Sequence, residues 1–346
     1  MHAILVEPGF ADSIWCRQIL QGLTAELKKR REVYALDPPT PEGSVFVIGS
    51  SSEWLGAQVS RCNACGSIPV LLCSSLRKIS GGRYHCVCPD IDGSMRQLTA
   101  AFTARYGSRL ALYGVNPHSV GDRSRREAFL QACPGGLCLE NRGSLAQCFR
   151  EFLPFLSQTD GVICANGFAA VSLYRRLQTL NKTIPMISCA QTLLCHRYRH
   201  AIPAVDMNYP SFGKTALALW DLARKQPHIS ELTVTVRWEA EDLPGDHLPA
   251  VVSPVSADRF YEDKELQQML KIENLLSACD DTDELLLSML LRGESYAAMA
   301  ERCYLTEGAV KYRIKNMRIL CDAPDREGLE TFLRAFIPCD ANHSKL

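Results

Sequence analysis

A chain of 346 residues with 38 Lys and Arg against 38 Asp and Glu is neutral overall, so no bulk charge draws it to nucleic acid or to an acidic membrane surface. Hydrophobic residues make up 47% of it, enough for more than one core, and no apolar run reaches the ~18 residues that a membrane span requires. The start MHAILVEPGFADS meets acidic and polar residues too early for a signal peptide, so a cytoplasmic chain with no membrane partner is expected.

Residues 1 to about 245 alternate short β-rich runs with helical stretches. AILVE is followed by the helical ADSIWCRQILQGLTAELKKR, then by VYALD, VFVIGS, the helix SEWLGAQVSRCNA and IPVLLCSS. The pattern continues through HCVCPD, a helix over about 93–106, RLALYGVN, the helix DRSRREAFLQAC and a helix near SLAQCFREFLPFL. DGVICAN, AAVSLYRRLQTL, IPMISCAQ and the helix SFGKTALALWDLARK complete it. Such alternation predicts an α/β architecture of parallel sheets flanked by helices, here as two successive units of about 110 residues. A ligand would lie where strand C-termini meet the cleft between the lobes.

Sixteen cysteines are many, but most lie inside apolar runs such as VLLCSS and GVICAN, where a reduced thiol packs as a small hydrophobe rather than building a disulfide framework. Cys62 and Cys65 with Cys86 and Cys88 could supply four thiolates to a metal or form a redox pair. Against that, the first two fall on a predicted helix and the second two share one face of a predicted strand. No metal site and no cofactor is expected. His196 and His200 stand one helical turn apart without a third ligand. Neither a Gly-x-Ser-x-Gly elbow, a phosphate-binding loop, a His-Glu-x-x-His helix nor a dinucleotide fingerprint occurs, so an enzyme is not expected.

Residues 257–278 predict a charged connecting helix with Leu266, Met269, Leu270 and Ile272 available for packing. Beyond it, a first helix buries Leu286, Met289 and Leu290 and ends at Arg292-Gly293, where glycine can take the left-handed conformation. Ser295 then caps a second helix, SYAAMAERCY, and Thr306 caps a third after a turn through Tyr304 and Leu305. The third, about 307–320, has Val310, Ile314, Met317 and Cys321 on one buried stripe. Gly308, Lys311, Tyr312, Lys315 and Ile319 point the other way, with Arg313, Asn316 and Arg318 on the flanks. Residues 280–346 carry nine basic against twelve acidic side chains, whereas 307–318 carry four against one, so the positive charge is confined to this helix. Leu329, Phe332, Leu333 and Phe336 form one further stripe, fit either for the core or for a dimer seam.

Gly293-Glu-Ser295, Ala297 to Ala300 and Ala309-Val310-Lys311 resemble the LuxR/NarL-type, or GerE-like, helix-turn-helix family. The resemblance implies DNA binding through Thr306, Gly308, Lys311, Tyr312, Arg313, Lys315 and Arg318. It implies double-stranded DNA as partner and a homodimer on two half-sites. Over the N-terminal region, Ile68-Pro69-Val70, Leu110-Ala111-Leu112-Tyr113-Gly114 with Arg125 to Phe129, and Ala165-Asn166-Gly167 to Ala170 resemble the periplasmic-binding-protein type 1 sensor of LacI/GalR-type regulators. That likeness implies a small-molecule effector, with Arg125 and Asn166 lining the cleft. Phe10, Trp15, Trp54, Asp92 and Gln191 join them as ligand candidates from the strand ends. Arg125 could instead be a solvated helix charge, Asn166 a helix cap, the tryptophans packing residues and Asp92 an N-terminal helix charge. With Ala190-Gln191 where the family carries an acidic pair, an anionic effector is expected to fit Arg125 better than a neutral sugar.

The resulting expectation is a regulator with a two-lobed sensor (1–252), a connector (253–278) and a helix-turn-helix domain (279–346). A cysteine-based metal or redox sensor and an interaction scaffold with a vestigial cleft are the alternatives.

Overall fold

The computed structural model describes residues 2–11, 14–41, 43–73, 79–190, 192–238 and 263–338. Strands β1 (His2–Val6), β2 (Tyr34–Leu36), β3 (Ser44–Gly49), β4 (Val70–Cys73) and β5 (His85–Pro89) alternate with helices α1 (Ile14–Lys29) and α2 (Ser52–Ala64). Helix α3 (Ile91–Tyr106) leads into β6 (Leu110–Val115), α4 (Val120–Ala132), β7 (Leu137–Glu140), α5 (Leu145–Phe152), β8 (Gly161–Cys164), α6 (Gly167–Thr179), β9 (Met186–Ser188) and the single turn α7 (Leu193–His196). The chain then forms α8 (Tyr209–Lys225) and β10 (Thr233–Val236).

Both sheets are wholly parallel, in the orders β10-β5-β4-β3-β1-β2 and β7-β6-β8-β9. Helices cover both faces, which is why β1, β3, β4 and β5 are buried along their whole length and read as continuous apolar runs. Helix α2 covers one face of the first sheet, and α1 paired with α8 covers the other. Two glycines permit that pairing: a Cβ on Gly22 would lie 2.0 Å from the Pro210 carbonyl, and one on Gly213 would lie 2.1 Å from the Leu23 amide.

The α/β class and the parallel sheets match the sequence reading. The two units, however, are interleaved rather than successive. Lobe 1 holds β1 to β5 and recovers α8 and β10 from far along the chain, while lobe 2 is built from α3 to α7. β10 adds to the edge of lobe 1 by pairing Val234 with Val87. It was not predicted because its exposure alternates and only two of its four residues are apolar.

The C-terminal part begins with α9 (Lys264–Ala278), followed by α10 (Asp281–Leu291), α11 (Tyr296–Arg302), α12 (Glu307–Leu320) and α13 (Arg326–Arg334). The caps stand at the predicted residues. Ser295 Oγ accepts from the Ala298 amide at 3.2 Å and Thr306 Oγ1 from the Ala309 amide at 3.2 Å. Gly293 takes φ 76°, and the amides of Gly293 and Glu294 close on the carbonyls of Leu290 and Met289.

The boundary at 252 and residues 257–262 lie outside the described residues, and within α9 the side chains expected to be available for packing are packed, Leu270 partly so. Leu266, Met269 and Ile272 are fully buried, and α9 packs on α7 of lobe 2 with one side and on α12 with another. One continuous apolar core therefore runs from Tyr113 and Phe152 of lobe 2 through α9 to Val310, Ile314 and Leu329.

Candidate functional site

The strand ends of lobe 2 gather a buried polar network around Asp122. Ser119 caps α4, which places Asp122 in the first turn. One Asp122 oxygen accepts from the Asn116 amide at 3.0 Å and the other from the Arg125 guanidinium at 2.6 Å. Asn166 also hydrogen-bonds Asp122 with its side chain while its Oδ1 accepts from the Ala169 amide at 3.0 Å. Asn166 is thus a helix cap and a member of the network at once. Burial pushes the Asp122 carboxyl up against the pull of Arg125, and the same pairing holds the guanidinium charged against its own desolvation.

Arg125 is 8% exposed, so it is no solvated helix charge. Its Cζ lies 5.8 Å from the centroid of the Trp238 ring, which follows β10 of lobe 1, so this contact joins the two lobes. The Arg125 Nε and Trp238 Nε1 donors are both buried without a hydrogen-bond partner, as is the whole side-chain amide of Asn141 after β7. Buried donors of this kind are uncommon and mark places where a further group can bind.

An aromatic run reaches the same place. Phe10 and Trp15 lie 5.6 Å apart between ring centroids, and Trp15 lies 6.4 Å from Tyr209. Burial pushes the Tyr209 hydroxyl up to about 12, with the nearby Arg125 charge pulling the other way. Phe10, Trp15, Arg125 and Asn166 are therefore brought to one region. Trp54 stands apart from the aromatic run, half-buried against the core on the opposite face of the lobe 1 sheet and close to Gly49 and Glu7. Asp92 is exposed in the first turn of α3, where Asp90 supplies the cap by accepting from the Gly93 amide at 3.0 Å. That is the helix-charge reading of Asp92. Gln191 lies outside the described residues. Asp122, Tyr209 and Trp238 were missed, although the spacing Ser119-x-x-Asp122 is itself a capping signal.

On α12, Val310, Ile314, Met317 and Cys321 are buried as predicted, and Gly308, Lys311, Tyr312, Lys315, Asn316 and Ile319 are exposed. The basic side chains divide into two groups. Arg313 bridges Asp280 at 2.9 Å and Asp283 at 2.8 Å, and Arg318 donates to the carbonyls of Ala323 and Pro324. Both side chains are engaged within the bundle. Lys311 pairs only with Glu307 of its own helix, at 3.3 Å, and lies 5.6 Å from the Tyr296 ring, while Lys315 has no partner among the described residues. Thr306 serves as the cap.

The apolar stripe on α13 is likewise consumed internally. Leu329 and Leu333 are fully buried in the bundle core, and Phe336 turns to lobe 2, where the Tyr198 hydroxyl donates to its carbonyl and Arg175 stands 4.2 Å over its ring. Phe332, the fourth member, is half-buried beside Phe336, with ring centroids 6.0 Å apart.

Of the cysteines singled out, three lie in one apolar core and one does not. Cys65 is exposed, whereas Cys62, Cys86 and Cys88 face the core with Cys73, whose sulfur lies 3.3 Å from that of Cys86. Desolvation pushes the Cys62 thiol up to about 11. Among the described residues no group of three or more His, Cys, Asp or Glu side chains is placed to hold a metal, and no helix is long and apolar enough to cross a membrane.

Solved structures share this two-lobed arrangement. A LacI family transcriptional regulator from Enterococcus faecalis V583 with bound ribose matches with a TM-score of 0.51 at 16% identity, covering 69% of this chain and 96% of that one. The fold of the lobes is the LacI type. A putative LacI family regulator from Rhizobium etli gives a TM-score of 0.53 at 13% identity over 69% of this chain and 95% of its own. The Lac repressor bound to ONPG in the repressed state gives 0.50 at 11% over 69% and 80%. No family model matches the chain, and no curated protein does. The matched 69% is a share equal in size to the two lobes, so the LuxR/NarL likeness of the C-terminal bundle rests on its residues alone.

Proposed function

We propose that the chain is a ligand-responsive transcriptional regulator that binds a small-molecule effector between its lobes and reads double-stranded DNA with α12, acting as a homodimer. The observation that carries the reading is the buried Asp122–Arg125 pair with an unpartnered Nε against Trp238 of the other lobe. Such a group is satisfied by a ligand held between the lobes, and closure on that ligand would differ in energy from the empty state. The LacI family neighbours, one of them with ribose bound, support the effector half.

The nature of the pair also revises the expected effector. With the charge of Arg125 already balanced by Asp122 at 2.6 Å, a carboxylate would gain little from it, while its free Nε still offers a donor. A donor beside an acceptor suits a neutral molecule bearing hydroxyl or amide groups. For the DNA half, the exposed Lys311, Tyr312, Lys315 and Asn316 on an apolar-backed helix support groove contact.

The test is a thermal-shift screen of neutral sugars against small carboxylates, followed by Arg125→Ala. A bound effector at one hundred times its Kd stabilises by about 2.7 kcal/mol, and Arg125→Ala should erase that gain when each protein is compared with its own ligand-free melting temperature. Stabilisation that survives the substitution would place the ligand elsewhere.

A further inference from the structure

The acidic side chains of α9 meet lobe 2 at particular atoms. Asp263 Oδ2 accepts from the amide of Leu145, the first residue of α5, at 2.8 Å. Glu273, 3% exposed, accepts with one oxygen from the amide of Leu193 at 2.7 Å and with the other from that of Leu194 at 2.8 Å, the first two residues of α7. Between them Glu265 accepts from the Ser172 hydroxyl of α6 at 3.0 Å. The helix lies across three lobe 2 helices and supplies an acceptor to the free amides at two helix starts.

Those two starts follow the C-terminal ends of β7 and β9. Just before them stand Asn141 to Ser144, with the unpartnered Asn141 side-chain amide, and, of the described residues, Cys189, Ala190 and Thr192, where Cys189 lies within electrostatic reach of Arg125. On another side α9 packs against α12, and Lys271 of α9 pairs with Asp322 at the end of α12 at 2.9 Å. Arg197, which ends α7, pairs with Glu284 of α10 at the outer margin of the same contact.

We infer that α9 is the coupling element between cleft and bundle: Asp263 and Glu273 hold the α5 and α7 starts that directly follow the two rim segments of lobe 2, and the same helix packs against α12. This rests on the reading of the cleft as an effector site and of α12 as the DNA reader. An effector that repositions residues 141–144 or Cys189 and Ala190 shifts the α5 and α7 starts, hence the carboxyl groups bound to them, hence the seat of α12. The bundle is thereby a built-on part of lobe 2 and not a head swinging on a tether.

Hydrogen exchange followed by mass spectrometry on the full chain, with neither effector nor DNA, tests the coupling from both sides. Glu273→Ala should speed exchange at least tenfold in α12 and across 141–145, as well as at Leu193 and Leu194, with lobe 1 unchanged. Faster exchange confined to Leu193 and Leu194 overturns the inference, because Glu273 would then be a local cap. Since removal of a buried carboxylate can unfold the lobe, Glu284→Arg reads the coupling from a partly exposed position. Repulsion from Arg197 should lift the bundle margin and speed exchange across 189–194 tenfold, and adding Arg197→Glu should restore it. Wild-type exchange across 189–194 in Glu284→Arg overturns it equally. A cleft that takes no ligand, or an α12 indifferent to DNA, would defeat the proposed function while leaving these exchange results as they stand.

Discussion

Four basic side chains lie on α12, and two of them have no partner on another helix, so the proposed reading of DNA by α12 carries a defined salt dependence. Arg313 is held by Asp280 and Asp283, and Arg318 by two carbonyls, so neither can leave without loosening the bundle. Lys311 and Lys315 remain. Each phosphate neutralised on duplex DNA contributes about 0.9 to the slope of log affinity against log salt. The two lysines therefore account for a slope of about 1.8 per copy, or a roughly 12-fold loss of affinity between 50 and 200 mM salt. Lys311→Ala with Lys315→Ala should remove that 12-fold component, and Lys315→Ala alone about 3.5-fold of it. Fluorescence anisotropy of a labelled duplex, titrated at several salt concentrations, measures the slope. Arg313→Ala should leave the slope in place and lower the melting temperature of the bundle. An unchanged slope in the double lysine variant, or a slope that falls in Arg313→Ala with stability intact, would refute the division.

Three further outcomes follow from buried or strained groups. Arg125→Ala leaves the Asp122 carboxylate buried and unpaired, so urea denaturation should show a loss of about 3–5 kcal/mol, and Arg125→Ala with Asp122→Ala should cost less than the sum of the singles; strict additivity would mean the pair is not desolvated. Tyr304, 97% exposed, holds a left-handed φ of 54° in the turn before α12, so Tyr304→Gly should stabilise the bundle by about 1 kcal/mol in a thermal melt, and a loss of stability would show that the tyrosine ring makes up for the strain. Burial outweighs the two amide donors at Glu273 and pushes its carboxyl from 4.5 up to about 7. Because this folded value lies above the unfolded one, the associated stability is complete below pH 4.5 and is lost as pH rises through about 7, on the order of 3 kcal/mol in all; Glu273→Gln should flatten that part of the pH profile, and an unaltered profile would assign it to other groups.

What the sequence disclosed was what neighbours along the chain decide. Ser295 and Thr306 each cap through an amide three residues on, and Gly293 ends α10 through its own φ, so all three were legible without the fold. The buried strands were legible because helices on both faces demand unbroken apolar runs. Partners distant in sequence were not legible. Trp238 meets Arg125 only because the chain returns to lobe 1 through α8 and β10. Arg313 looked available until α10 brought Asp280 and Asp283 beside it. The α13 stripe had two readings, and the choice fell to α10 and α12 for Leu329 and Leu333, and to lobe 2 for Phe336. β7 escaped because three of its four residues are only partly buried, which weakens the apolar signal.

The attachment of the bundle to lobe 2 also limits how an effector can act. If lobe closure simply rotated lobe 2, the bundle would ride with it, since Asp263, Glu265, Glu273, Glu284 and Phe336 all find their partners on lobe 2. Nothing inside the joint would change, and any response would have to come from the relative placement of two copies. A change within one copy needs an element shared by cleft and joint, and the starts of α5 and α7 have that property. The energies are sufficient. Useful allosteric coupling is about 1–3 kcal/mol, and an intramolecular hydrogen bond has a net worth of about 0.5–1.5 kcal/mol, more where the acceptor is charged. Three such bonds join α9 to the two helix starts. Weakening one of them by the displacement of a rim segment is enough to shift the seat of α12, and the remaining two keep the bundle attached while it shifts.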